Sequence, residues 1–474
     1  LPTIAYVAKD NETIAIVNVD SNVVLSTIPI GFNTNWIALT PDLQKAYLAN
    51  QFNSTVSVLD LASETIVAVI PLGVSNGKSN QPKQIFILPN GLAYSANISG
   101  TVSVIDTATD TLVNTVPIGP NISVMKLSPN GNFFFIGNDS AVSMFSTITN
   151  GVINFFPIDG IAGDLAVSPD GNSVYVAIPG NMIINPNNKV AVVDVGLSSQ
   201  IAMITVGTTP VKVDINSIGS RVYVVNLSSG DLSVIDIPSN TVIATIPIGE
   251  NPNNQVITPD FGSQDYVANL SPGRIVAVNT TTFTPTNLPL GAVPTSMAIT
   301  PDGSKLITTT ASDFMAIFNT QTNTLITAID LGAASTFITF VPQSSPSQMP
   351  AYSTGVVTNT RDFGTAASNI VLNVSNIDPA DTTVLVKIIA SVDSDVFYVA
   401  YVDGFVVPTG GYEVRTFMIA GNVAYEVQVS TSSESLGPNA LVSVYGIDEF
   451  GNLVNSQRFA PEELTSIPGV DLGA

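Results

Sequence analysis

VYVVNLSSGDLSVIDIPSNTVIATIPIG (residues 222–249) and AYSANISGTVSVIDTATDTLVNTVPIG (93–119) are two copies of one sentence. Each contains three short runs of alternating apolar and polar residues, separated by Asn, Asp, Ser, Thr and Gly. Alternation with period two marks β-strands with one face buried, and the separators are turn formers. The sentence recurs about every forty-two residues between Tyr6 and Leu331, a period that points to a propeller or an array.

The eight copies end at Gly31, Gly73, Gly119, Gly160, Gly207, Gly249, Gly291 and Gly332, the fourth in the looser form FPIDG. Beyond each lies a further apolar run, and six of these close with Pro and Asp or Asn, as in AVSPDG (166–171) and AITPDG (298–303). Proline presets φ and glycine accepts a positive φ, so a tight hairpin should follow. A short polar column closes each third strand: Asn18, Asp60, Asp106, Ser146, Asp194, Asp236, Asn279 and Asn319. Such side chains cap the next turn by accepting backbone N–H groups, and eight near-equivalent copies do not make a catalytic group.

Four antiparallel strands per copy, without helical periodicity, predict an all-β chain built as an eight-bladed β-propeller, with seven blades as the alternative. The chain opens on the second strand of a blade (4–10) and its repeats end on a first strand, FITFVP (337–342). Pairing of the two would close the ring and remove its open edges. This gives a propeller over 1–342, a Ser/Pro-rich linker over 343–350, and a region over 351–474 whose six to eight alternating runs predict a β-sandwich for assembly or anchoring.

AYVAKD, AYLANQ, VYVVNL and DYVANL, each followed by TVSVID-like and TVIATIPIG-like strands and an SPDG turn, resemble the YVTN β-propeller repeat of surface-layer and other secreted proteins. The resemblance covers about residues 1–342. It implies a propeller fold, usually of seven blades, and an extracellular setting. A broader likeness to lactonase-type propellers carries no metal or acid–base motif over to this chain. The hairpin-like 446–459 is faintly similar to modules of Gram-positive surface proteins.

Composition narrows the functions. The 474 residues contain 14 Lys and Arg against 36 Asp and Glu, a net charge of −22. Charged residues are only 11% of the chain, so Thr, Ser and Asn must build the surface. A chain this acidic repels nucleic acid and anionic membranes. No stretch of about twenty residues is apolar enough for a membrane helix. Cysteine and histidine are both absent, which removes disulfides, thiol nucleophiles and the commonest general base. The opening Leu1 is read as the product of leader removal from a secreted protein, with a fragment as the alternative.

Candidate site residues fall into three groups. Trp36, Lys83, Gln84, Asp164, Lys212 and Asn254 start the inner strands and would line a funnel mouth; otherwise Asp164 pairs with Lys212 and Trp36 plugs the tunnel. Sequons at Asn11, Asn53, Asn97, Asn121, Asn138, Asn226, Asn269, Asn279 and Asn373 are candidate glycan acceptors, or simply copies of one repeated turn. Asp393, Asp395, Asp448 and Glu449 offer oxygen ligands for Ca²⁺ without the spacing of a known loop.

The leading expectation is a non-enzymatic extracellular structural protein (lattice, sheath or filament subunit) that associates with identical subunits through 351–474. The alternatives are a glycan- or peptide-binding adhesin and a lactonase-like hydrolase.

Overall fold

The computed structural model describes residues 3–340, apart from 76, 182–184, 218, 260 and 261. It also describes 351–354, 357–358, 369–376, 382–391, 398–407, 411–418, 424–431, 440–447, 453–459 and 465–467. The chain divides into two compact units, Leu1–Gln343 and Ser344–Leu472. Every regular element among the described residues is a β-strand. The proposed linker 343–350 and the four candidate Ca²⁺ ligands Asp393, Asp395, Asp448 and Glu449 lie outside the described residues.

The first unit is a propeller-like array of four-stranded antiparallel sheets, eight of them among the described residues. Sheets 2 to 8 occupy 36–71, 82–117, 124–157, 164–205, 210–247, 252–289 and 294–330, each a run of four consecutive strands. The looser fourth copy forms its sheet like the rest. Sheet 1 is assembled from both ends of the unit. Ile4–Lys9, Thr13–Asn18 and Val23–Pro29 are joined by Ser335–Phe340, which pairs with Ile4–Lys9 through Ala5↔Phe340, Val7↔Ile338 and Ala8↔Phe337.

One apolar cluster sits at each junction between successive sheets, because both faces of the middle strands carry Val, Ile, Ala or Tyr. The eighth cluster joins Val7 and Val17 of sheet 1 to Ile307 and Ile317 of sheet 8. Burial on both sides explains the near-continuous apolar runs of the second and third strands, whereas the fourth strands are half exposed.

Local chemistry fixes the turn between the third and fourth strands in the same way eight times. The polar column accepts backbone N–H groups two or three residues on: Asn18 from Asp20 and Ser21, Asp60 from Ser63, Asp106 from Ala108 and Thr109, and Ser146 from Ile148 and Thr149. Asp194, Asp236, Asn279 and Asn319 do the same. Four residues after each cap the chain turns left-handed, at Asn22, Glu64, Asp110, Asn150, Ser198, Asn240, Phe283 and Asn323. Asn and Asp tolerate that conformation best among residues with a Cβ, and they fill five of the eight positions.

Those left-handed residues also fasten one sheet to the next. The Tyr47 hydroxyl donates to Asp110, Tyr94 to Asn150 at 2.8 Å, Tyr175 to Asn240 at 2.7 Å and Tyr266 to Asn323 at 2.7 Å. In sheet 4 the tyrosine column holds Phe135, and the facing residue in sheet 5 is Ser198. Arg221 replaces the bond from sheet 6 with one from Nη1 to Thr280 O at 2.6 Å and a stack over the Phe283 ring at 5.2 Å. From sheet 8 to sheet 1 the link is Lys305, whose Nζ donates to Val19 O at 3.0 Å and reaches Asp20 at 3.4 Å.

Among the described residues, the second unit holds two sheets. One runs Tyr398–Val407, Thr382–Ser391, Ala424–Thr431, Ala351–Ser353 and Thr465–Ile467, with Val357–Thr358 also on Ala424–Thr431. The other runs Tyr412–Met418, Asn369–Asn376, Ala440–Ile447 and Leu453–Phe459. Val386, Ile388, Val427 and Val429 from the first share a core with Ile370, Leu372, Val374 and Val444 from the second.

Candidate functional site

The first strand of each sheet has its start set by Pro or Gly-rich turns and its register fixed by the second strand. Trp36 opposes Ala49, Gln84 opposes Ala96, Asp164 opposes Ala177, Lys212 opposes Val225 and Asn254 opposes Ala268. Five of the six candidate mouth residues therefore occupy one structural column, with Lys83 one residue before it.

Each of these groups is engaged with a neighbouring sheet or its own strand. Trp36 is half-buried; its Nε1 donates to Ile85 O at 2.9 Å and its ring stacks on Phe337 with centroids 4.5 Å apart. It thus bridges sheets 1, 2 and 3. The Lys83 ammonium donates to Ser123 O. Gln84 Oε1 accepts the Met125 N–H at 2.7 Å. Asp164 is 4% exposed and accepts from the Val213 N–H at 3.3 Å, with Lys212 Nζ at 3.6 Å. The expected Asp164–Lys212 pair is present, though Lys212 keeps much of its side chain in water. Asn254 accepts the N–H of Gln255 at 2.9 Å.

Four further polar residues belong to this interior and were missed by reading the strand starts alone: Lys126, Asp214, Gln255 and Asp265. Lys126 and Asp214 stand two residues deeper, at the level where the other sheets carry Thr339, Ala38, Phe86, Ala166, Val256 and Ala298. A charged residue interrupting an otherwise mostly apolar column was the signal available. Burial opposes the Lys126 ammonium, but Asp164 and Asp214 together outweigh it and hold Lys126 above its ordinary value. Burial raises Asp214, against the pull of Lys126. Burial lowers Lys83, with Lys212 adding to the shift and Asp164 opposing it.

Asp265 is fully buried, and burial holds it well above its ordinary range even though Gln255 Nε2 donates to it at 2.7 Å. Its second oxygen and the Gln255 side-chain oxygen are both buried without a partner. Across sheets 3 to 6 the ammonium groups of Lys83, Lys126 and Lys212 thus lie in the field of the Asp164 and Asp214 carboxyl groups. Among the described residues no three or more Asp or Glu gather where they could hold a metal ion.

The sequons divide sharply. Asn97, Asn138, Asn226 and Asn269 are at most 3% exposed, which favours the repeated-turn reading over a glycan at these four. Their amide nitrogens donate inside the fold: Asn97 to Thr101 and Ser103, Asn138 to Ser143, Asn226 to Asp231 and Ser233, and Asn269 to two backbone carbonyls. Asn97, Asn138 and Asn226 tie the end of the second strand to the third, and Asn269 holds the connection between sheets 6 and 7, so the same Asn-x-Ser letters encode a fastener of the fold. Asn11, Asn53 and Asn121 are exposed, while Asn279 and Asn373 are half-buried. At the opposite end, open grooves of about 450 and 570 Å³ lie between sheets 2 and 3 and sheets 3 and 4.

No protein-family profile matches the chain, and no curated protein matches it. Solved structures do. Dihydro-heme d1 dehydrogenase NirN aligns at 14% identity over 72% of this chain and 75% of that one, with a TM-score of 0.59. Hydrazine synthase of Kuenenia stuttgartiensis aligns at 16% identity over 66% and 96%, with a TM-score of 0.47. A functionally unknown protein from Desulfotomaculum acetoxidans aligns at 15% over 72% and 99%, also at 0.47. The NirN likeness supports a propeller fold and nothing about chemistry, because fold and function separate freely at this identity.

Proposed function

We propose that the protein is a non-enzymatic extracellular structural subunit. Its first unit is read as an eight-bladed propeller of the YVTN surface type, closed by Ser335–Phe340 on Ile4–Lys9. Its second unit is read as a β-sandwich that joins identical subunits. The eighth apolar cluster, between sheet 8 and sheet 1, supports the closed ring.

The observation that carries the functional reading is the engagement of the mouth. Trp36, Lys83, Gln84 and Asp164 each bind a neighbouring sheet rather than converging on a vacant point. Groups arranged in this way stiffen a scaffold. Catalysis would instead ask for a nucleophile and a base aimed at one reacting atom.

Sedimentation velocity and negative-stain imaging of the full chain test the proposal, over a concentration series with and without Ca²⁺. Ordered assemblies are expected; a monomer at every concentration overturns the reading. Intact mass of native material tests the secreted setting through Asn11, Asn53 and Asn121. Sugar is expected on some of those three and on none of Asn97, Asn138, Asn226 and Asn269.

A further inference from the structure

Seven of the eight sheets carry a register shift at one equivalent place, between the third and fourth strands. One residue of the fourth strand is left without a partner there, the geometry of a β-bulge. The bulged residues are Leu25, Val67, Val113, Ile153, Ile201, Ile243 and Ile326. All seven are aliphatic, and they are 43% to 61% exposed. Sheet 7 has no shift, and its fourth strand carries Pro285 and Thr286 instead.

A bulge requires only backbone, so the side chain upon it is free to be polar. Other exposed aliphatic and aromatic residues, such as Phe52, Ile148 and Leu197, stand singly in turns, whereas these seven recur at one equivalent position. Strand propensity alone would accept Thr as readily as Val. Leu, Val and Ile replace one another at these seven places without a polar residue entering. The fourth strands also carry no Lys, Arg or Glu, and Asp only at Asp330.

We propose that these bulged aliphatic side chains form a self-association belt, through which the outer strands of two copies of this chain pack side by side. The occupant follows from charge. Copies with a net charge of −22 repel one another over most of their surface, and the outer strands are where two of them can approach without opposing charges. The surface that accepts an exposed aliphatic knob is an apolar one, which a second belt supplies. Bulges twist an edge away from backbone pairing, so the contact is made by side chains rather than by strand addition. This proposal rests on the assembly reading above and names a contact surface for it.

The test uses the full chain carrying Val67→Lys with Ile153→Lys, a second variant with Thr at both positions, and Asn53→Lys as an exposed charge control. All three substitute residues at least half exposed, or nearly so, and thermal melting checks that they fold. Sedimentation velocity should show the Lys pair needing about a tenfold higher concentration than wild type to associate, by analogy with a lost hot-spot side chain. The Thr pair should fall between them, and Asn53→Lys should match wild type. Wild-type association left unchanged by both pairs overturns the belt and leaves the assembly reading standing. A wild-type chain that never associates overturns both.

Discussion

Asp265 and Gln255 face one another between sheets 6 and 7, and the Asp214 charge adds to the upward push of burial on Asp265. Two buried oxygens without donors are an expensive arrangement, and a proton on Asp265 supplies the missing donor. With its native pKa above the ordinary 3.8, the folded state holds a proton that the unfolded chain has released. The contribution of this group is therefore fully present below about pH 4 and is lost as pH rises towards the native value. Asp265→Asn supplies a donor at every pH. It should stabilise the protein by about 1–3 kcal/mol at pH 8, and the gap to wild type should close near pH 4. Calorimetric melting across pH 4–9 reads this directly. A gap independent of pH would mean that Asp265 is ionised throughout.

At the scale of the element, the tyrosine latches decide how firmly one sheet holds the next. Tyr94 donates to Asn150 at 2.8 Å and approaches Thr147 O at 3.2 Å, so Tyr94→Phe should cost about 1–2 kcal/mol. Asn150→Ala should cost less once Tyr94 is already Phe, and a double-mutant cycle measures that coupling. Sheet 4 offers the converse, since Phe135→Tyr with Ser198→Asn installs the latch it lacks. Additive losses in the first pair would show that the hydroxyl and the amide act apart.

These latches also mark what the letters could and could not reveal. The polar caps such as Asp106 were legible because cap and capped N–H lie within three residues. The partner of Tyr94 lies in the next copy, and nothing in one copy points to it. The repeat predicted the strand order and the pairing of 337–340 with the opening strand. It predicted Asp164–Lys212 from adjacency of copies, yet missed Lys126 and Asp214, whose depth shows only when strands are aligned by register. Asn97 and Asn226 left two readings open, because a sequon and a buried strand fastener are written with the same residues.

At the scale of the whole first unit, the proposed closure rests on a seam of contacts between its first and last strands and turns. Lys9 is 4% exposed, and its ammonium donates to Leu331 O at 2.8 Å across that seam. Burial lowers its pKa, with Asp330 opposing the shift. Lys305 binds Val19 O on the same junction, and Ser335–Phe340 completes sheet 1. Closing so long a loop carries an entropic cost that local strand pairs do not meet, so this seam should be the first junction to open. Lys9→Met keeps the side-chain length and leaves the Leu331 carbonyl without its charged donor, a loss of about 1–3 kcal/mol. Native-state hydrogen exchange should then quicken in Ile4–Lys9 and Ser335–Phe340 before it changes in Lys45–Asn50 or Arg221–Asn226, the equivalent strands of sheets 2 and 6. Uniform quickening across all four segments would show that the sheets unfold as one unit, and the seam would then have no special weakness.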